Sequence, residues 1–138
     1  MQLSGLQLYR ISSRMPRFKL YPLAQAIHLL DRLIGAKSVP PTAQIGKGTR
    51  LAYGGKGVVV HARAKIGADC LISPGVIIGG RAGHVDVPVI GNRVALRPGC
   101  MVLGPVTIGD DSEIGPNAVV IEDIPEGGIY VAPLGRLL

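Results

Sequence analysis

Residues 58 to 78 read Val58-Val59-Val60-His61-Ala62-Arg63-Ala64-Lys65-Ile66-Gly67-Ala68-Asp69-Cys70-Leu71-Ile72-Ser73-Pro74-Gly75-Val76-Ile77-Ile78, and within them Val60, Ile66, Ile72 and Ile78 stand six apart. The clock resumes at Ile90 and runs through Leu96, Val102, Ile108, Ile114 and Val120, ten aliphatic beats in all. Two residues ahead of each beat lies a second register of small or compact side chains: Val58, Ala64, Cys70, Val76, Pro88, Val94, Cys100, Val106, Ser112 and Ala118. A helix face would repeat near 3.6 residues and a half-buried strand every two. A fixed six-residue period belongs instead to a parallel β-helix, in which three units close one triangular coil.

Working outward from that stretch, the expected fold is an all-β solenoid with roughly eighteen residues per coil. Each beat points into a narrow shaft and stacks on the beat one coil away, Val60 under Ile78 and Val102 under Val120. The compact register turns the corners. Glycines that follow the aliphatic positions, Gly46, Gly67, Gly79, Gly91, Gly109 and Gly115, are expected to serve those turns by adopting positive φ. From about Ile45 to Val120 the chain holds some four coils, roughly 20 Å of prism at strand spacing.

The pattern slips twice. Leu51 and Val60 are nine apart, with Tyr53-Gly54-Gly55-Lys56-Gly57 between them, which predicts a small loop. Between Ile78 and Ile90 one beat is missing and His84 occupies its place. The Gly-rich, charged segment Gly79-Gly80-Arg81-Ala82-Gly83-His84-Val85-Asp86-Val87 is therefore expected to be extruded from the coil.

The boundaries that follow are a leader over 1–38, the β-helix over 39–124 and a tail over 125–138. Leu3 to Arg14 and Tyr21 to Ile34 read as two short helices, the second with Leu23, Ile27, Leu30 and Ile34 on one face and Gly35 as a stop; they are expected to pack on the first coil. A single Phe and no Trp suit a shaft too narrow for rings. Net charge is +6, and the first fifty residues carry eight bases against one acid, Asp31. That bias can serve a polyanion, an anionic membrane face or a phosphorylated cofactor. No apolar run approaches the ~20 residues of a membrane span, so the expectation is a cytoplasmic protein whose basic leader can rest on a membrane surface. Cys70 and Cys100 both fall in the compact register and read as buried thiols without a disulfide.

Residues 40 to 124 resemble the hexapeptide-repeat acyltransferases, and the whole chain resembles a short serine acetyltransferase-like member. The resemblance rests on Pro40-Pro41-Thr42-Ala43-Gln44-Ile45-Gly46, on Val58 to Gly67, on Ile78-Gly79-Gly80-Arg81 and on Pro88-Val89-Ile90-Gly91-Asn92. Leu103 to Gly109 and Ile114 to Val120 extend it. It implies a left-handed β-helix, a homotrimer, and acyl-CoA bound in the groove between neighbouring prisms. The hand comes from the resemblance alone, since ordinary crossovers are right-handed.

Moving an acetyl group from a thioester to a hydroxyl needs a base for the hydroxyl proton and donors for the oxyanion. His84 in the extruded loop is the first candidate for the base, with Asp86 to orient its ring; His61, expected to point away from the shaft, is the second. Tyr53, Gly80 and Arg81 are candidates for acceptor binding. Serine acetyltransferases place a catalytic His in a Leu-Asp-His stretch ahead of a Gly-Val-Val run, where this chain reads Leu51-Ala52-Tyr53-Gly54. A second family His precedes the proline at 88, where Val87 stands. For acetyl-CoA the candidates are Arg93, Arg97 and Gly99, with Lys65 as a further phosphate ligand and Pro133 and Arg136 in a tail that resembles the family's CoA turn in altered order. No metal-ligand cluster or Walker loop appears.

The reading with most support is an acetyl-CoA-dependent O-acetyltransferase acting on a hydroxyl of a small molecule or sugar. A non-catalytic trimeric scaffold is the alternative. Nucleic-acid binding is disfavoured because aromatic platforms are lacking and the bases are spread.

Overall fold

A computed structural model describes residues 37–135 together with Pro22, Ala26, Leu29 and Leu30. Those four residues are helical; the rest of the two-helix leader, its packing on the first coil, His28 and Arg136 lie outside the described residues.

The chain winds as a left-handed parallel β-helix. The first coil comprises β1 (Gln44–Ile45), β2 (Arg50–Leu51) and β3 (Val59–Val60). The second comprises β4 (Lys65–Ile66), β5 (Leu71–Ile72) and β6 (Ile77–Gly79), and the third β7 (Val89–Ile90), β8 (Ala95–Leu96) and β9 (Met101–Leu103). β10 (Thr107–Ile108), β11 (Glu113–Ile114) and β12 (Val119–Val120) complete the fourth, and β13 (Ile129–Tyr130) follows. The prism has three faces: β1-β4-β7-β10, then β2-β5-β8-β11-β13, then β3-β6-β9-β12.

Register explains the slips in the clock. Val60 pairs with Ile78, Ile90 with Ile108 and Val102 with Val120, each eighteen residues on. Ile45 pairs with Ile66 and Leu51 with Ile72 at twenty-one, because the Tyr53 loop inserts three residues. Ile66 pairs with Ile90 and Ile78 with Val102 at twenty-four, because one hexad is pushed out after Gly79. All ten beats are buried, as are the compact residues two ahead of them. Buried hydroxyls at the corners are satisfied: Ser112 Oγ of the compact register donates to the Pro125 carbonyl at 2.9 Å, and Thr49 Oγ1, two residues ahead of Leu51, donates to the Gly67 carbonyl at 2.7 Å while accepting from Cys70 N–H. Cys70 and Cys100 are buried free thiols. Burial pushes both upward, Cys100 to about 12.

Two expectations need correction. β-pairing continues past 124: Ile124 bridges to Ile108, and β13 pairs with β11. The hexad count missed this because the last step shortens to sixteen residues, Glu113 against Ile129. The glycines that follow the beats, Gly46, Gly67, Gly79, Gly91, Gly109 and Gly115, are not the left-handed ones. Positive φ stacks instead in two columns at the corners, Gly48, Asp69, Arg93, Asp111 and Gly127 on one edge and Gly57, Gly75, Gly99 and Asn117 on the next, and recurs outside them in the two inserted loops and at Gly104. The need at Gly46, Gly67, Gly91 and Gly109 is space, since a Cβ on any of them would run into the coil above.

Candidate active site

The edge where the third face turns into the first carries the histidines. Behind β3 come His61 and Arg63, and one coil on, behind β6, the chain leaves the prism as the loop over 80–87. The loop opens with a turn in which His84 N–H donates to the Arg81 carbonyl at 3.1 Å and Gly83 takes φ +84°. Left-handed φ at the third position of a turn is what glycine supplies without strain. One coil further, Gly104 leaves room for Arg81, whose Cβ would stand 2.9 Å from a Cβ at that position.

His61 is half-buried beside Gly80. Its Nδ1 accepts the Arg63 main-chain N–H at 3.1 Å. The neutral ring therefore holds its proton on Nε2, the nitrogen left to face a ligand, and His61 in this setting is a hydrogen-bond donor. His84 and Asp86 are both exposed, and among the described residues no hydrogen bond joins them or engages either side chain. The expected orientation of the His84 ring by Asp86 is thus not formed. Arg63 does reach this loop: its Nη2 donates to the Val85 carbonyl. No periodic signal in the sequence singles out Arg63, because its role depends on a loop folding back over twenty-two residues.

The other candidates stand on other edges. Tyr53 lies where the second face turns into the third, 85% exposed, with φ 50° and ψ 36°. Arg97 and Gly99 occupy the same edge two coils up, and Gly99 belongs to its left-handed column. Arg93 sits on the remaining edge. Within one chain the histidines are therefore separated from Tyr53, Arg97 and Gly99 by the width of the third face and from Arg93 by the width of the first.

Both arginines are paired with carboxylates. Arg93 Nε and Nη2 donate to the two Asp111 oxygens at 2.6 Å each, with Asp110 3.5 Å away. Arg97 Nε meets Glu113 at 2.7 Å. These partners hold the carboxyls of Asp111 and Glu113 below the usual range, and Asn92, donating from its side chain and main chain, does the same for Asp110. A CoA phosphate at either guanidinium would have to exchange with a carboxylate. Lys65, exposed on the outward side of β4, has no side-chain partner among the described residues. Pro133 is exposed. Among the described residues no three His, Cys, Asp or Glu are grouped to hold a metal ion, and no helix is long and apolar enough to cross a membrane.

The outward side chains of the third face are Val59, Ile77, Met101 and Val119, an uninterrupted apolar ladder with Val59 42% and Val119 47% exposed. The first face presents Gln44, Lys65, Val89 and Thr107 and the second Arg50, Leu71, Ala95, Glu113 and Ile129. Only the strands of the third face lack a polar rung; below them Ser38 bridges to Val59.

The bacterial transferase hexapeptide (six repeats) model matches residues 88–122. The chain is 37% identical over 136 residues to a serine acetyltransferase of Helicobacter pylori, covering 97% of this chain and 79% of that protein. It superposes on the soybean serine acetyltransferase apoenzyme with a TM-score of 0.84 at 33% identity, over 97% of this chain and 56% of that one. A serine acetyltransferase solved in complex with CoA aligns over the whole chain at 26% identity and a TM-score of 0.84, again spanning 58% of that structure. The chain thus spans somewhat more than half of these two solved proteins. With its hexad register, its extruded loop and this degree of identity, the chain belongs to the serine acetyltransferase family of hexapeptide-repeat acyltransferases.

Proposed function

We propose that this protein transfers the acetyl group of acetyl-CoA to a hydroxyl of a small acceptor, serine or a compound like it, in clefts between the prisms of a homotrimer. The observation that carries the proposal is the arrangement of edges around the apolar third face. If three such faces turn toward a common axis, the His61 and His84 edge of one prism abuts the Tyr53, Arg97 and Gly99 edge of the next. Groups that are apart in one chain then meet across the cleft. The relatives support the substrates, since one solved serine acetyltransferase is in complex with CoA and the soybean enzyme is also known complexed with serine.

In this reading His84 accepts the acceptor's hydroxyl proton as the oxygen attacks the thioester carbonyl. The tetrahedral oxyanion is met by hydrogen-bond donors, among them His61 Nε2–H and main-chain N–H groups at the cleft. Collapse of the intermediate breaks the C–S bond, and the imidazolium returns its proton to the departing CoA thiolate. His84, with no side-chain partner of its own among the described residues, is free to turn toward a neighbouring prism. Gly80 and Arg81 at the loop's root and Tyr53 across the cleft contact the acceptor, while Lys65, Arg97, Gly99, Pro133 and Arg136 are the residues proposed to meet CoA; Arg93, on the edge turned away from the clefts, is not among them.

A second reading is favoured by Tyr53-Gly54, one of which stands where the family's catalytic His belongs: a trimeric scaffold that no longer transfers acetyl groups. Release of CoA thiol from acetyl-CoA, followed with serine, homoserine and sugar acceptors, separates the two. The expected outcome is turnover that falls about 100-fold or more in His84→Ala and less in His61→Ala. Absence of turnover together with no thermal shift at saturating CoA selects the scaffold, because a ligand held only by the folded state must raise its melting temperature.

A further inference from the structure

We propose that Arg63 is a positioning residue that locks the extruded loop 80–87 onto the prism and so fixes where His84 stands. The chemical meaning of the lock rests on the acetyl-transfer reading, whereas the lock itself is measurable without turnover. The guanidinium donates to the carbonyl of Val85, the residue between His84 and Asp86. The main-chain N–H of the same Arg63 donates to His61 Nδ1 at 3.1 Å, and the His61 ring lies beside Gly80, where the loop leaves the coil. One residue therefore sets the tautomer of one imidazole and the position of the segment bearing the other.

The loop has one further seat. The stem of Arg81 crosses Gly104, where any side chain would crowd it. Among the described residues no other side chain hydrogen-bonds to residues 80–87. Val85 itself is 77% exposed and adds no buried anchor. Without the guanidinium, the tip is held only by its own turn and by the Arg81 stem. A hydrogen bond from a charged donor is strong enough to choose one loop position among several, and Arg63 is exposed, so removing it leaves the shaft untouched.

The test uses the full chain carrying Arg63→Ala or Arg63→Lys, with melting temperature as a check on the fold. Tryptic cleavage after Arg81, followed by mass spectrometry, reports the loop directly. The lock predicts cleavage about ten-fold faster in Arg63→Ala, the size expected from losing one hydrogen bond to a charged group, and an intermediate rate in Arg63→Lys, which keeps a shorter donor. In the same proteins kcat should fall by a similar factor while KM for acetyl-CoA stays unchanged. Unaltered cleavage in Arg63→Ala overturns the proposal, as does faster cleavage with wild-type kcat and acceptor KM. If the wild type turns over no acceptor, the acetyl-transfer reading fails on its own, and the cleavage rates alone decide whether Arg63 holds the loop.

Discussion

A methyl group at Gly67 would have to share space with the main-chain carbonyl of Gly91 in the next coil. Backbone cannot rotate away as a side chain can, so the coils must spread. Gly67→Ala is expected to cost about 1–3 kcal/mol, the range for overpacking a close-packed site, read as a lower urea midpoint with unchanged m-value. The two left-handed columns work differently. Asp69, Arg93, Asp111 and Asn117 accept left-handed φ between 55° and 58°, a conformation tolerated best by residues with short polar side chains and unusual for arginine. At Arg93 the two hydrogen bonds to Asp111 accompany that conformation. The sequence marks the glycines but not which need they meet. Positive φ and close approach both select glycine, and only the stacking of coils tells them apart.

Each strand of the prism is two or three residues long, too short to be stable by itself, and the strands of the middle coils are held because they pair above and below and drive one side chain into the shaft. Leu96 is fully buried between Ile72 and Ile114 on the second face. Leu96→Ala is expected to lose about 2–5 kcal/mol from transfer and cavity terms, whereas Val85→Ala in the exposed loop should stay within about 0.5 kcal/mol; thermal or urea unfolding of the two variants makes the comparison. The extruded loop was legible as a missing beat, since deleting or adding a hexad shifts the clock by a countable amount. Its seat was not. The contact between Arg63 and Val85 joins residues in different coils, and no spacing rule ties a corner residue to the tip of a loop.

At the scale of the molecule, the apolar ladder of Val59, Ile77, Met101 and Val119 is what an interface between copies would cover. Val59→Lys with Val119→Lys is expected to shift the species seen by sedimentation from trimer toward monomer, because each buried ammonium would face a copy of itself. If a trimer persists in the double variant, another face makes the contact. Charge along the other edges gives a pH dependence of definite sign. Asp110, Asp111 and Glu113 are held below the ordinary carboxylate range in the folded chain, so their stabilising contribution is present above about pH 4 and is lost as pH falls through the folded values. All three lie near the surface, which keeps the effect small. Melting temperature should decline below about pH 4, and the decline should be shallower in a variant with Asp110→Asn, Asp111→Asn and Glu113→Gln.

The six-residue clock alone determined that this chain winds into a three-sided column, which residues plug it, where one hexad leaves it and where three residues are inserted. A solenoid makes this possible, because every contact in the shaft joins residues a constant distance apart in sequence. The tertiary structure decided what the clock does not count: the shortened last step that carries pairing to Tyr130, the carboxylates that occupy Arg93 and Arg97, the ring nitrogen that His61 has free, and the distribution of candidate groups over separate edges. These depend on which corners stack and on side chains reaching between coils across gaps that the insertions have changed. Such distances follow from the wound chain and are not written in its period.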